Sequence, residues 1–190
     1  MSATLAPSDF YARLLGLDAD RLQILSRPSP FPPENRRVLL VPAVSTQYRH
    51  RDRDREPTAK LVQDVIDATP GNVAIFFPSF AFLEQIAPLL NLDTRPTLVQ
   101  TRGMTEKARA DLLTALRNET GQVLFAVLGG IFSEGIDLPG DALVGVVVVG
   151  PALPQANLAR RLLQDWYQKE YESGFRYAWL VPGMSRVVQA

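Results

Sequence analysis

The sequence contains no cysteine and a single histidine, His50, and these two absences exclude several kinds of chemistry. Without cysteine the chain can form no disulfide, no zinc–thiolate site and no iron–sulfur ligation, and it has no thiol nucleophile. With one histidine, any catalysis that needs two is excluded. Lysine is also scarce, since arginine supplies all but three of the 20 basic residues.

Long apolar runs and net charge are lacking too. No apolar run reaches the roughly 18 residues of a membrane span, and the amino terminus has no basic region followed by an apolar stretch, so we find no signal peptide. We therefore expect a cytoplasmic protein with no membrane partner. Twenty basic residues balance 20 acidic ones, which excludes bulk electrostatic capture of nucleic acid but leaves a local basic groove open.

Proline marks the division of the chain. Residues 26–36 contain four prolines and read as an extended connector, because proline fixes φ and is disfavoured inside a helix. We predict an amino-terminal arm and connector over residues 1–36 and one domain over residues 37–190. With 190 residues, 46% of them hydrophobic, the chain can bury a core of this size.

After the connector, short apolar runs alternate with helical periodicities. The runs are continuous rather than alternating, which is typical of parallel strands buried on both faces. We predict an α/β fold of three layers, with a mainly parallel sheet and helices on both faces. The predicted strands cover residues 37–41, 72–77, 97–101, 122–128 and 142–149, and the predicted helices cover residues 57–68, 79–90, 105–117 and 154–171.

The carboxyl ends of parallel strands collect ligands, so the loops at that edge are the places to search for function. After the 72–77 run, Ser79 can cap the next helix or contact a phosphate oxygen. After the 97–101 run, Thr101 and Arg102 offer a hydroxyl and a guanidinium. An exposed arginine is most often a solvated surface residue, but beside Ser79 it is a candidate contact for a nucleic-acid backbone.

The richest loop spans residues 129–140 and contains four glycines, Ser133, Glu134 and Asp137. Glycine permits positive φ and close backbone approach. Either the acidic side chains of this loop hold its own backbone in place, or the loop is a functional site. The spacing of the residues is compatible with both. A third reading is a small-molecule enzyme that uses Glu134 and Asp137 as an acid–base pair. Neither a G-x-x-x-x-G-K-[ST] P-loop nor a G-x-G-x-x-G motif occurs.

Two further features favour structural roles. The alternating charges of residues 49–56 indicate a solvated, self-paired segment, with nucleic-acid contact as the less favoured reading and no catalytic role for His50. The aromatic residues near the carboxyl end favour packing of the last helix onto the sheet, with base stacking as the alternative. They are Trp166, Tyr167, Tyr171, Phe175, Tyr177 and Trp179.

Several motifs, in order along the chain, resemble the XPD/DinG (Rad3-like) branch of superfamily 2 DNA helicases. Residues 132–137 (FSEGID) resemble motif V and residues 76–80 (FFPSF) resemble motif IV. Residues 2–5 (SATL) and 29–35 (SPFPPEN) resemble the end of motif III and the segment after it, and residues 182–190 resemble the lead-in to motif VI. The resemblance implies the second RecA-like, P-loop NTPase-type motor domain of a DNA-repair helicase, truncated within motif VI.

The resemblance also implies roles for particular residues. Glu134, Gly135, Asp137 and Gln189 would face the nucleotide, and Ser79, Thr101, Arg102 and Ser133 would contact the backbone of single-stranded DNA. ATP and Mg²⁺ would serve the intact parent, an ATP-dependent DNA helicase. The first RecA-like domain, the expected partner, would supply the P-loop lysine, the Mg²⁺-binding acids and, in many members, an iron–sulfur cluster.

For this fragment alone, the resemblance implies no metal, no resident cofactor and no activity. The expected location is the cytoplasm, on the nucleoid in a bacterial cell. The alternative function is a non-catalytic RecA-like module that binds nucleic acid or protein.

Overall fold

The computed structural model describes residues 5–28, 30, 32–133 and 136–190. They fall into two compact units, Met1–Val44 and Ser45–Ala190. The first unit contains helix α1 (Ser8–Leu14) and two single 3₁₀ turns, Ala19–Arg21 and Pro33–Asn35. The division predicted at residue 36 stays a prediction.

The second unit alternates strands and helices in the predicted order. Its first helix, α2 (Arg51–Ala68), follows a 3₁₀ turn at Tyr48–His50. A second 3₁₀ turn, at Ala87–Leu89, follows α3 (Phe80–Ile86), and a third, at Gly140–Ala142, precedes the last strand. A π-helical segment (Arg176–Leu180) leads directly into α6. The elements are α2 (Arg51–Ala68), β1 (Val73–Phe77), α3 (Phe80–Ile86), β2 (Thr97–Val99), α4 (Glu106–Asn118), β3 (Val123–Val127), β4 (Gly145–Val148), α5 (Leu158–Tyr171) and α6 (Val181–Gln189).

The four strands form one parallel sheet in the order β2-β3-β1-β4. Ile75 of the central β1 lies opposite Phe125 of β3 and Val147 of β4. Because all pairs are parallel, the carboxyl ends of the strands meet at one edge of the sheet, which we call the carboxyl edge. The predicted parallel sheet is confirmed.

Both faces of the sheet are covered, as the continuous apolar runs predict. Alternate residues of β1 and β3, such as Ile75 and Phe125, pack in one core with α2 and α3. The residues between them, such as Phe76 and Leu124, pack in a second core with α4 and α6. All ten residues of β1 and β3 are buried, so the three-layer prediction is confirmed.

The opposite, amino edge is fixed by the buried amide of Asn72. Its Nδ2 donates to the carbonyl oxygens of Leu116 (2.8 Å), Glu119 (2.8 Å) and Ala142 (3.0 Å), and its Oδ1 accepts from the backbone N–H of Gln122 at 2.8 Å. One side chain thereby joins the end of α4 to the starts of β3 and β4.

The strand predicted over residues 37–41 is wrong. This run has no regular secondary structure, and its four apolar side chains are 53–90% exposed. An apolar run becomes a strand only where it finds a hydrogen-bonding neighbour and a covered face, and this run lies in the first unit, among whose described residues there is no strand.

Two helix starts also differ from the prediction. Helix α2 begins at Arg51 rather than residue 57 and contains Pro57, because its charged first turns lack the apolar periodicity that reveals a helix. Helix α5 begins at Leu158 rather than residue 154, after Asn157, whose Oδ1 accepts from the N–H of Arg160 at 2.8 Å. No helix among the described residues is both long and apolar enough to cross a membrane.

The carboxyl-terminal aromatic residues pack mainly against one another. The rings of Tyr167, Tyr171 and Tyr177 lie 5.7–5.9 Å apart between centroids and join α5 to the π-helical segment. Packing is therefore the observed use, although the contact is between helices rather than onto the sheet.

Candidate functional site

The turn from β1 into α3 brings Ser79 to the carboxyl edge. Ser79 has an extended backbone and its Oγ accepts from the N–H of Phe82 at 3.3 Å. The predicted helix cap is thus confirmed. The cap uses a lone pair of the hydroxyl, so the O–H can still donate to a phosphate oxygen, and the DNA contact of Ser79 stays a prediction.

The loop from β2 into α4 lies beside this turn. The Arg102 guanidinium stacks on the Phe80 ring, with its Cζ 4.7 Å from the ring centroid, and its Nη2 lies 3.7 Å from Glu84 Oε1. Thr101 and Arg102 are exposed. The structure therefore brings Arg102 next to the Ser79 turn, as the sheet-edge rule predicts. The ion pair is exposed and contributes little to stability, so Arg102 remains available to an incoming anion.

The glycine-rich loop after β3 is fixed by two arginines of α4. Arg109 Nε donates to the Ile131 carbonyl at 3.2 Å, and Arg117 Nη2 donates to the Asp137 carbonyl at 3.0 Å. The backbone of the loop is thus held at Ile131 and at Asp137, while the Asp137 side chain is exposed. Glu134 and Gly135, two of the predicted nucleotide-facing residues, lie outside the described residues.

Ser133 is buried, with 4% of its surface exposed. Its hydroxyl and its backbone N–H both donate to the Gly130 carbonyl, each at 3.1 Å. In this arrangement the side chain closes a turn within the loop. A contact with DNA, which the resemblance implies for Ser133, requires this hydroxyl to turn outward, and that role stays a prediction.

Gly129 and Gly130 allow close approach of neighbouring side chains, as expected of this loop. Gly129 has φ +69°, and a Cβ there would lie 3.0 Å from Arg186 Nε. A Cβ on Gly130 would lie 2.9 Å from both Gln100 Nε2 and the Val127 carbonyl oxygen. Larger residues at these positions would displace the loop from its contacts with Arg186, Gln100 and Val127.

Gln100 is a positioning residue that the sequence analysis missed. It is buried, and its Oε1 accepts from the Val127 N–H at 3.0 Å while its own N–H donates to the Phe125 carbonyl at 2.8 Å. It therefore couples the end of β2 to the last residue of β3, directly before the glycine-rich loop. The available signal was a polar residue closing an apolar strand run.

Ser133 and Gln189 meet at one cavity of about 150 Å³. Small-molecule pockets enclose roughly 300–1,000 Å³, so this cavity alone is too small for a nucleotide and suits one wall of a larger cleft. Gln189, at the end of α6, is half-buried here. The cavity lies beside the glycine-rich loop and is lined by Phe76, Phe132, Ser133, Ile136, Leu138, Leu143, Gln189 and Ala190.

The chemistry of the edge suits phosphate oxygens more than metal ions. Its described polar groups include hydroxyls, an amide and a guanidinium, which all donate hydrogen bonds to anions, together with the Asp137 carboxylate. Within the described residues, no group of three or more His, Cys, Asp or Glu side chains could hold a metal ion.

The model of the helicase C-terminal domain family matches residues 62–190 of this chain. The chain is similar to the probable ATP-dependent helicase MJ0942 of Methanocaldococcus jannaschii, with 32% identity over 154 residues that cover 77% of this chain and 23% of that protein. It is also similar to the ATP-dependent DNA helicase chl1 of Schizosaccharomyces pombe, with 29% identity over 174 residues that cover 80% of this chain and 20% of that protein.

Among solved structures, an XPD helicase shares the fold with a TM-score of 0.62 and 20% sequence identity, over 77% of this chain and 26% of the other. Xpd4 of S. tokodaii shares it with a TM-score of 0.53 and 15% identity, over 78% of this chain and 28% of the other. The chain spans about a quarter of the length of the curated relatives it matches.

Proposed function

Because the chain belongs to the helicase C-terminal domain family, we propose that it is the second RecA-like motor domain of an ATP-dependent DNA helicase. In this role it supplies one wall of an ATP cleft and part of the path of single-stranded DNA. The observation that carries the proposal is the composition of the carboxyl edge. Ser79 and Arg102 lie together on one side, and Ser133 and Gln189 share a cavity beside the glycine-rich loop.

On the nucleotide side, Asp137 and Gln189 are the described residues that we assign to the cleft. Asp137 presents an exposed carboxylate from a backbone fixed by Arg117, and Gln189 lines the cavity. Glu134 and Gly135 complete the proposed set. A partner RecA-like domain would supply the P-loop lysine and Mg²⁺ ligands, and any iron–sulfur cluster, because this chain has no P-loop and no cysteine.

On the DNA side, Ser79, Thr101, Arg102 and Ser133 are proposed to contact phosphates. Contact with the backbone rather than with base edges suits a motor that must move along any sequence. Closure of the two domains on ATP and their reopening after hydrolysis would shift this set relative to the partner domain. For a DNA helicase of a bacterial cell, the proposed location is the cytoplasm, on the nucleoid.

The test uses the full-length protein that carries this domain and measures DNA-stimulated ATP hydrolysis. Asp137→Ala and Gln189→Ala are each expected to lower kcat at least tenfold, since loss of one preorganised polar group costs about 10²–10³-fold in other enzymes. Asp141→Ala is the matched control, because Asp141 is an exposed carboxylate four residues further along. Hydrolysis at the wild-type rate in both test variants would favour the non-catalytic binding module.

The isolated chain is expected to show no ATPase activity. Phosphoryl transfer needs a lysine and Mg²⁺ ligands around the phosphates, and the sequence has no P-loop. A steady-state assay at up to micromolar protein concentrations, with and without Mg²⁺ and single-stranded DNA, measures this. Metal-dependent ATP hydrolysis by the pure chain would contradict the proposal that a partner domain supplies the P-loop lysine and the Mg²⁺ ligands.

A further inference from the structure

Residues 45–51, which we call the pre-helix segment, are folded onto the carboxyl edge. The Ser45 N–H donates to Asp54 Oδ2 at 2.8 Å, and His50 Nδ1 lies 3.1 Å from Ser45 Oγ. Thr46 packs against the end of β4, since a Cβ on Gly150 would overlap its hydroxyl. Ser45 and Thr46 are therefore held in place beside the strand ends, directly before the run of residues 49–56 that the charge pattern assigned to a solvated surface.

Arg51 connects this segment to the Ser79 turn. Its Cζ lies 4.5 Å from the centroid of the Phe82 ring, in the first turn of α3, and 5.6 Å from the centroid of the Tyr48 ring. Its Nε donates to the Thr46 carbonyl at 3.3 Å. Burial lowers the pKa of Arg51 from its ordinary value, but the guanidinium still carries its charge at neutral pH.

Tyr48 is the outermost member of this stack. Its side chain is 87% exposed, although a tyrosine ring normally buries much of its apolar surface. Arg49 beside it is also exposed, with its Nε donating to Gln47 Oε1 at 3.2 Å. An uncovered ring beside the Arg51 guanidinium provides a flat apolar surface together with positive charge.

A second arginine–aromatic pair involves the first residue of α3. Arg102 stacks on Phe80 at 4.7 Å, so both Arg51 and Arg102 contact aromatic residues in the first turn of the helix that Ser79 caps. The Arg51 pair extends to Tyr48, whereas Arg102 also forms an ion pair with Glu84. The polar contacts proposed for the DNA backbone therefore share the first turn of α3 with the Arg51–Tyr48 pair.

We propose that Tyr48, supported by Arg51, is a stacking platform for a base of the single strand, beside the phosphate contacts of Ser79 and Arg102. This inference rests on the proposed function. Single-stranded nucleic acid supplies both a π-face and a phosphate at every nucleotide, and proteins bind it with aromatic rings along a basic groove. Stacking is independent of sequence, as a motor on any strand requires.

The experiment measures fluorescence anisotropy of a labelled 15-residue oligothymidylate, and of an abasic strand of the same length, titrated with the 190-residue chain at low salt. Tyr48→Ala is expected to weaken oligothymidylate binding by roughly 5- to 150-fold, the range found for stacked aromatic residues. Tyr48→Trp is expected to retain binding. Phe175→Ala is the matched control, since Phe175 is an exposed aromatic residue outside the edge loops.

The abasic strand separates stacking from a structural role. It keeps the phosphates but has no bases, so wild type and Tyr48→Ala are expected to bind it equally. Equal affinity of the two proteins for oligothymidylate, with Arg102→Ala still weakening it, would overturn the platform and leave the proposed function intact. No binding of either strand by the wild type would overturn both. A loss that is equal on both strands would assign Tyr48 to folding or backbone contact and overturn stacking.

Discussion

The Arg95 side chain joins several backbone segments at the amino edge. Its Nε donates to the Gly121 carbonyl at 2.9 Å, and its Nη1 donates to the Ile66 and Thr69 carbonyls at 2.6 and 2.9 Å. These bonds hold the end of α2 beside the start of β3. Because the fork of guanidinium donors matches several acceptors at once, lysine cannot replace it.

We predict that Arg95→Met lowers the free energy of unfolding by about 2–3 kcal/mol. The substitution removes hydrogen bonds from a charged group and leaves the backbone carbonyls that accepted them without donors. Arg95→Lys is expected to recover less than half of the loss. Urea unfolding followed by circular dichroism measures both, with Arg161→Met as the control on an exposed arginine of α5. Equal midpoints for Arg95→Met and the control would contradict this assignment.

Asp54 is the residue through which pH acts on the pre-helix segment. A hydrogen bond from Arg53 and another from the Ser45 N–H lower the pKa of its carboxyl from 3.8 to about 2. A pKa that is lower in the folded chain than in the unfolded chain favours the folded state above pH 4, and this contribution is lost as the pH falls through about 2.

We therefore predict that Asp54→Asn lowers Tm above pH 5 and that its Tm approaches that of the wild type as the pH falls from 4 to 2. Thermal melts across pH 2–6 measure the difference. Asp64→Asn is the control, because Asp64 forms an exposed pair with Lys60. A wild-type–variant difference that stays constant down to pH 2 would show that the carboxylate charge is not responsible.

At the scale of secondary-structure elements, the sequence was most informative where burial is continuous. The limits of β1 and β3 lie within one residue of the predicted runs, because an apolar run buried on both faces has few alternatives to a central strand. The run at residues 37–41 is also mostly apolar, but its apolar side chains are exposed. Local pattern cannot show whether a run finds a partner strand, so this error could not be avoided from the sequence.

The sequence predicted part of the candidate site and missed the residues whose positions depend on contacts between elements. The carboxyl-edge rule placed Ser79 and Arg102 together, and the stacking of Arg102 on Phe80 agrees with it. Tyr48 and Gln100 were missed, since Tyr48 contacts Arg51, which packs on Phe82, and Gln100 contacts Val127, and both Phe82 and Val127 are distant in sequence. Periodicity describes one element at a time, whereas these residues act between elements.

Two glycines allow a matched test of how the pre-helix segment is held against β4. Gly150 and Gly103 both have positive φ, +82° and +68°, but a Cβ on Gly150 would overlap Thr46 whereas a Cβ on Gly103 meets nothing within 4 Å. Gly103→Ala is expected to cost about 1–2 kcal/mol for the left-handed backbone alone. Gly150→Ala is expected to cost about 1–3 kcal/mol more, because the clash must displace Thr46.

Chemical denaturation of the two alanine variants measures this difference. Gly150→Ala is also expected to weaken oligothymidylate binding, since displacement of Thr46 moves the segment that carries Tyr48. Equal destabilisation by the two substitutions would mean that the pre-helix segment gives way freely and is not fixed by the end of β4.

At the scale of the whole molecule, the balance of 20 basic and 20 acidic residues limits how the domain can hold a strand. With no net positive field, binding must come from a few arginines placed at one edge. Each phosphate neutralised on a single strand contributes about −0.7 to the slope of log K against log salt concentration. Contacts from Arg49, Arg51 and Arg102 would therefore give a slope near −2.

Arg102→Ala is expected to reduce that slope by about 0.7, whereas Tyr48→Ala should lower affinity at every salt concentration and leave the slope unchanged, since stacking releases no counterions. Lys169→Ala, which removes an exposed charge in the last turn of α5, controls for net charge alone. Anisotropy titrations between 25 and 200 mM salt measure all four proteins. A wild-type slope steeper than about −4 would require more cations than this edge provides and would place the strand on another surface.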